Sequence, residues 1–365
     1  MAPLLNKGLK VQLKEQPIKK QRKAVALISG GLDSMLAVRV IQEQGIHVEG
    51  INFFTGFCVE GHTHAVRKKH KDKQKRNNAL WVAEQLGIKL HIVDVVEEYK
   101  DILLNPVHGY GKNVNPCLDC KTFMVKKAVE WLKEHDFDFI ITGEVVGQRP
   151  MSQRKATMPI VAKDSGSDDL LVRPLSAQQL PATLPEREGW LDRDKMYDFS
   201  GRTRKPQMAL AEQYGFKDYA QPAGGCCMLT DENYALKLKD MWANRPSRAY
   251  ELDDIIMLKM GRHFRLAPHL KIIIGREEGE NNFMQGYKNQ FISIFPTSHP
   301  GALCLVDGEF KSDEEFHQAL ALIARYSQGK NATEVTLSVR QIDGTEQEHR
   351  IAPIPEADIK KEWLV

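Results

Sequence analysis

The chain has 365 residues, a formal net charge of +3, and 42% hydrophobic against 27% charged residues, enough length to bury a sizeable core in two or more domains. No apolar run approaches a membrane span or the core of a secretory signal, and so small a net charge does not by itself announce a nucleic-acid partner. Six cysteines are too few for a disulfide scaffold, and their clustering favours thiol or metal chemistry in a reducing compartment, so a cytoplasmic protein without a membrane partner is expected.

Residues 1–22 read as a basic tail, with Glu15 the one acid between Lys7 and Lys23. An apolar run at 24–28 predicts a buried strand, and Leu36, Ala37, Val40 and Ile41 at helical spacing predict a helix over 35–44. Between them stands Ser29-Gly30-Gly31-Leu32-Asp33-Ser34. Glycines there let the backbone approach a partner closely, while Ser29, Asp33 and Ser34 bring polar groups beside the free N–H groups of a helix start. Three polar residues at fixed offsets around two glycines, directly after a buried strand, predict a phosphate cradle rather than a plain turn. The G-x-x-x-x-G-K-[ST] loop is excluded, since no lysine follows the second glycine.

A second strand is predicted over 48–54, starting the alternation that implies parallel strands with crossover helices. Its end, near Phe53, would lie beside the glycine turn, where α/β sheets place ligands, and an adenine is expected there. The run from Val66 to Arg76 holds eight basic residues, counting His70, and one acid, Asp72. Such one-sided charge suits either a solvated helix face or phosphate contact on a nucleic acid. Cys58, His62 and His64 read as loop residues. After a helical pattern at 78–86 and a strand at 89–95, Asn115-Pro116-Cys117-Leu118-Asp119-Cys120 precedes a helix predicted over 121–134, placing both thiols where a helix N-terminus favours thiolates. A strand at 137–141 runs into Thr142-Gly143-Glu144-Val145-Val146-Gly147-Gln148, a polar, glycine-punctuated rim.

These motifs, with Ser152-Gln153 and Arg173-Pro174-Leu175, together resemble the catalytic domain of tRNA 4-thiouridine synthetases, members of the PP-loop ATP pyrophosphatases. The Asn115-Pro116 start of the cysteine motif is also similar to the 2-thiouridylases. The resemblance covers about 23–235 and implies an adenine-nucleotide alpha-hydrolase-like parallel sheet with helices on both faces. It implies ATP bound by Ser29, Gly30, Gly31, Asp33, Ser34, Phe53, Thr142, Gly143 and Gln148, with Mg2+ and the departing pyrophosphate positioned near Asp33. Gln221-Pro-Ala-Gly-Gly-Cys226-Cys227 looks like the distal cysteine that PP-loop thiolases bring back to the Cys-x-x-Cys. Cys117, Cys120 and one of Cys226 and Cys227 are therefore expected to act in catalysis. They could ligate an iron–sulfur cluster of the [4Fe-4S] kind, pass sulfur through a persulfide and disulfide, or hold zinc. Cys58 and Cys304 read as packing residues.

The stretch Leu258 to Leu266 and Lys271 to Glu277 is similar to the small RNA-binding domain at the end of NFACT proteins. The expected organisation is a tail at 1–22, the ATPase domain at 23–180, a cysteine-bearing connector at 181–240 and a small α+β RNA-binding domain at 241–365. An alternating strand near 334–341 and a turn at Asp343-Gly344 finish that last domain. The expected activity is ATP-dependent thiolation of a tRNA uridine, at position 4 or position 2 of the ring, with sulfur from inorganic sulfide or a persulfide carrier. A PP-loop synthetase adding nitrogen and a non-enzymatic RNA-binding or sulfur-carrier protein are the alternatives. Oligomeric state has no signature in the sequence.

Overall fold

The computed structural model describes residues 21–58, 77–219 and 227–365; the basic run at 66–76, His62, His64 and Cys226 lie outside them. Five parallel strands form the first sheet: β1 (Lys23–Leu27), β2 (His47–Phe54), β3 (Leu90–Asp94), β4 (Phe139–Thr142) and β5 (Leu171–Val172). Their spatial order is β3-β2-β1-β4-β5, so successive connections run one way out from β1 and then return to its other side at β4. The crevice beyond the C-terminal ends of β1 and β4 is the switch point at which such sheets bind ligands.

Period-two alternation explains why both faces are covered. In β1, Val25 joins Ile51, Phe53, Ile140 and Leu171 in one buried cluster, while Ala24 and Ala26 join Val48, Phe139 and Ile141 in the other. On the second face pack α1 (Leu32–Gln42), α2 (Asn78–Leu86) and α7 (Lys205–Gln213). The first face carries α3 (Val96–Leu104), α4 (Cys117–Glu134) and α5 (Met158–Asp164); between α5 and α7 a short α6 (Leu184–Arg187) follows β5. That face is completed from far along the chain by α8 (Glu232–Ala243) and α9 (Leu252–Met257), whose Tyr234, Leu238, Met241 and Ile255 share the cluster of Val25. Tyr234 Oη donates to Ile255 O at 2.9 Å, and the buried Lys237 ammonium donates to Leu258 O and Gly261 O at 3.3 and 3.0 Å. These bonds satisfy carbonyls at the end of α9.

The second sheet is antiparallel, ordered β11-β10-β8-β9-β7-β6, from β6 (Arg262–Ala267), β7 (Leu270–Ile274), β8 (Ile292–Pro296), β9 (Cys304–Gly308), β10 (Val335–Arg340) and β11 (Glu346–Ile351). The long helix α11 (Asp313–Arg325) buries Leu320, Leu322 and Ile323 in one core with β7, β8 and β10, and the shorter α10 (Glu278–Met284) buries Met284 with Ile273 and Leu305. The β10–β11 turn sits at Asp343-Gly344, Gly344 having φ +92°. Cys304 is a buried thiol of this core, and burial pushes its pKa up. No helix among the described residues is long and apolar enough to cross a membrane.

Two glycines fix the approach of elements at the switch point. Gly30 has φ +76°, and a Cβ there would lie 2.7 Å from Asn78 Cβ and 2.9 Å from Ala79 N. The expectation that both turn glycines clear space for a ligand is therefore met differently: Gly30 admits the start of α2, while Gly31 leaves its side open, with only Ser29 Oγ at 3.5 Å. A Cβ at Gly143 would collide with the backbone of Asp33 and Ser34, so β4 can reach the start of α1 only as glycine. Gly143→Ala is expected to lower stability by about 1–3 kcal/mol, read as a lower urea midpoint with unchanged slope; an unmoved midpoint would refute the close approach.

Candidate active site

The helix α1 begins at Leu32, earlier than its apolar pattern indicates, because the spacing marks only the core-facing turns. Gly31 is its N-cap, extended at φ −89° and ψ 162°, with no side chain bonded back over the first turn. The opening N–H groups therefore point outward, and the helix dipole adds partial positive charge there. Ser34 Oγ instead donates to Gly31 O at 2.8 Å and lies 3.5 Å from Ser29 Oγ, bracing the turn from within.

Asp33 projects from the first turn. Gln148 Nε2 donates to its Oδ2 at 3.0 Å, while Oδ1 is buried without a hydrogen-bond partner among the described residues. Burial raises the Asp33 pKa, opposed by the Gln148 hydrogen bond and by the charges of Arg204 and Arg149. A buried, unpartnered acceptor in the first turn of α1 suits a hard cation such as Mg2+, which takes carboxylate oxygens together with substrate phosphates. Gln148 is held by the turn in which Gln148 N bonds Val145 O and Gly147 N bonds Gln153 O. Gly201 N donates to Val146 O at 2.7 Å, carrying the loop of Arg202 and Arg204 to the same rim. Sequence reasoning gave Arg204 no role; a cluster of cations in a glycine loop far from the cradle was its one available signal.

Thr142 and Gly143 end β4 beside the turn, Leu27 pairing with Thr142 in register. Thr142 Oγ1 donates to Glu144 Oε2 at 2.8 Å, and the same oxygen meets Arg173 Nε at 3.1 Å and Lys121 Nζ at 3.6 Å. Glu144 and Arg173 are 3% and 7% exposed, so their charges survive only as a network. Burial alone would raise the Glu144 pKa, but Lys121, Arg173 and Thr142 hold it below the ordinary carboxylate value. Lys121 follows Cys120 directly in α4, so this network ties the cysteine helix to the rim of the cradle. Phe53 is placed otherwise than the adenine expectation had it: its ring faces the core with Phe57 and Tyr99, and Asn52 is the β2 residue that reaches the turn, Nδ2 donating to Ile28 O at 2.7 Å.

Helix α4 starts at Cys117 itself, with Pro116 as N-cap, so the Cys-x-x-Cys occupies its first turn rather than preceding it. Cys117 Sγ lies 3.6 Å from Ser152 Oγ, facing the Gln148–Gln153 loop. Cys120 faces the other way, toward the Tyr99 phenol and Cys227. The segment that begins at Cys227 lies on this side: Asn113 Nδ2 donates to Thr230 O at 2.9 Å, and Cys227 packs in the cluster that holds Cys120. Cys58, read from sequence as a packing residue, forms an antiparallel bridge with Cys227. Among the described residues, no three cysteine, histidine or carboxylate side chains are grouped to hold a metal ion. Cys117 stands against Ser152 and Cys120 against Tyr99, while Cys226, a candidate third ligand, lies outside the described residues.

A parallel sheet ordered 3-2-1-4-5, with a glycine turn and an uncapped helix at its switch point, defines a PP-loop-type nucleotide-binding domain. Comparison with protein families gives the same result: residues 22–184 match the tRNA methyl transferase HUP domain, and residues 261–364 match the NFACT protein RNA binding domain. The chain thus carries one segment similar to a HUP domain and one similar to an NFACT-type domain. Among curated relatives, "tRNA-specific 2-thiouridylase MnmA" of Mesoplasma florum is 25% identical over 282 residues, covering 72% of this chain and 68% of that protein. "Probable tRNA sulfurtransferase" of Thermococcus kodakarensis is 31% identical over 159 residues, 44% of this chain and 38% of that one. "tRNA-specific 2-thiouridylase MnmA 3" of Phocaeicola vulgatus is 29% identical, with 41% and 40% covered. The chain therefore spans about two fifths of the second and third relatives. A solved tRNA methyltransferase subunit from Methanocaldococcus jannaschii aligns at 18% identity over 42% of this chain and 69% of that one, with a TM-score of 0.27, too low to bear on the argument.

Several basic residues of the NFACT-type segment are engaged in ion pairs. Arg265 pairs with Asp240 at 2.7 Å, Arg276 with Glu280 at 2.5 Å and the buried Lys271 with Asp307 at 3.2 Å, and His263 is buried. Arg262 stays exposed, its guanidinium over the Tyr326 ring.

Proposed function

We propose that the protein thiolates a tRNA uridine at the expense of ATP. The observation that carries this reading is that the anion cradle of α1, with the orphaned Asp33 oxygen, and the cysteine turn of α4 meet at one switch point and are joined by the Lys121–Glu144–Thr142 network. ATP phosphates lie on the α1 N–H groups, and Mg2+, held through Asp33, would offset the charge of the departing pyrophosphate. The uridine carbonyl oxygen attacks the α-phosphorus and displaces pyrophosphate, which leaves the oxygen as part of an AMP leaving group. A sulfur nucleophile then adds to the ring carbon and AMP departs. Cys117, at the α4 start beside Ser152, faces the rim and is the thiol placed to guide that nucleophile to the ring carbon. Relatives named for 2-thiouridine, and the Asn115-Pro116-Cys117 start, point to ring position 2; the Thr-Gly-Glu and Gly-Gln rim points to position 4.

The full chain, given ATP, unmodified tRNA and a sulfide or persulfide source, is expected to release pyrophosphate only when tRNA is present and to yield a thiouridine whose position mass spectrometry of the nucleosides reads. Cys117→Ser is expected to keep tRNA-dependent pyrophosphate release while thionucleoside falls at least about 100-fold, the scale of losing a catalytic group. Pyrophosphate release without tRNA, or an aminated nucleoside, would overturn the proposal.

A further inference from the structure

Cys58 follows β2, and Cys227 opens the segment that returns from the far side of the ATPase domain. The two are opposite partners in an antiparallel bridge. Met228 N donates to Phe57 O at 2.9 Å, a bond that flanks the pair rather than joining it. Cys58 and Cys227 therefore occupy a non-hydrogen-bonded position, where opposite Cα atoms are roughly 4.5 Å apart and side chains closest. That spacing falls within the roughly 4.4–6.8 Å over which a disulfide closes without moving the backbone. Both residues are half-buried, and both are thiols.

Their surroundings suit sulfur exchange better than packing. Leu229 N donates to Cys227 Sγ at 3.4 Å, and Thr55 Oγ1 lies 3.7 Å from Cys58 Sγ. Lys259, from just beyond α9, reaches the same place, its Nζ donating to Gly56 O at 2.7 Å. Burial lowers the Lys259 pKa to about 8, opposed by Cys58 and Cys227, the two groups that face it. Its ammonium is thus positioned to neutralise a thiolate on either sulfur. Cys304, by contrast, is sealed in the apolar core of the second sheet.

We infer that Cys58 and Cys227 form a sulfur-releasing dithiol, in which Cys227 receives a sulfane sulfur and Cys58 liberates it as hydrosulfide by closing a Cys58–Cys227 disulfide. The Cys227 thiolate attacks the terminal sulfur of a low-molecular-weight persulfide, forming Cys227–S–SH and expelling the carrier thiolate. The Cys58 thiolate then attacks Cys227 Sγ; the Sγ–sulfane bond breaks, its electron pair leaves with HS⁻, and the protein is left with one disulfide. A dithiol reductant returns both thiols for the next cycle. The use of the hydrosulfide on an adenylated uridine rests on the function proposed above, whereas the release step does not. The bridge sets Cys58 directly opposite Cys227, so Cys58 is the resolving thiol.

The reduced full-length protein, treated anaerobically with glutathione persulfide and quenched with an alkylating agent, is expected to yield a peptide linking Cys58 to Cys227 and hydrosulfide in proportion to it. Cys58→Ser is expected to accumulate persulfide on Cys227 and to release hydrosulfide at least about tenfold more slowly. Cys227 linked instead to Cys117 or Cys120, or undiminished release from Cys58→Ser, would overturn the inference. If that variant fails to fold, the cross-link map of the wild-type chain decides alone. Neither readout contains ATP or tRNA, so a Cys58–Cys227 link supports the dithiol even where thiolation of tRNA fails, and failure of the link counts against the dithiol even where thiolation proceeds.

Discussion

Replacing Asp33 with asparagine is expected to lower tRNA-dependent pyrophosphate release by about 10²–10³-fold, the usual penalty for removing one preorganised group that stabilises charge in a transition state. Asparagine keeps the volume and leaves a carbonyl oxygen to accept from Gln148 Nε2, now 3.0 Å from Oδ2. Its amide would then stand where Oδ1 lies buried and unpartnered, facing a cation with hydrogens. Stability should move the opposite way or not at all, because burial already opposes the Asp33 charge and raises its pKa; the substitution removes a group whose ionisation the fold disfavours. Lost turnover with an unmoved or higher urea midpoint is thus the signature of a functional carboxylate. Undiminished pyrophosphate release would show that Asp33 does not hold the metal or the phosphates.

The cradle was legible in the sequence because every determinant lies within six consecutive residues. A strand, two glycines and three polar side chains at fixed offsets leave few geometries open. The order of the first sheet was legible in kind, since alternating strands and helices force parallel pairing, and the hairpin at Asp343-Gly344 announced itself by its alternation. What the sequence did not show are relations between distant segments. Cys58 and Cys227 are 169 positions apart along the chain and meet through one isolated bridge, which no periodicity encodes. Lys259 and Arg204 are ordinary cations until the fold carries them to the thiols and to the cradle. Arg265 and Lys271 are two more: their carboxylate partners, Asp240 and Asp307, stand on other elements, and no spacing in the sequence pairs them. Phe53 shows the limit at finest scale, where a strand's end is predictable but the face its ring takes depends on register.

Glu144→Ala is expected to destabilise the protein by about 3–5 kcal/mol, because it strips the buried Arg173 of its carboxylate and leaves a desolvated cation with its bond to Met158 O at 3.2 Å. Glu144→Gln is the sharper probe. It keeps the side-chain shape and a carbonyl oxygen for Thr142 and Arg173 while removing the charge, so it mimics the protonated glutamate. Lys121 and Arg173 hold the Glu144 pKa below its ordinary value against the effect of burial. A carboxyl depressed in the folded state contributes stability that is complete above its unfolded pKa and is lost as pH falls through the folded one. The stability gap between wild type and Glu144→Gln should therefore be widest at neutral pH and close on acidification below the ordinary glutamate range. A gap independent of pH would mean that Glu144 is not the charged centre of the network. Because Lys121 stands in the helix whose first turn carries Cys117 and Cys120, the same variant should lose thionucleoside formation more than pyrophosphate release. The cradle keeps its own backbone donors without Glu144, whereas the cysteine turn loses the ion pair that fixes its distance from them.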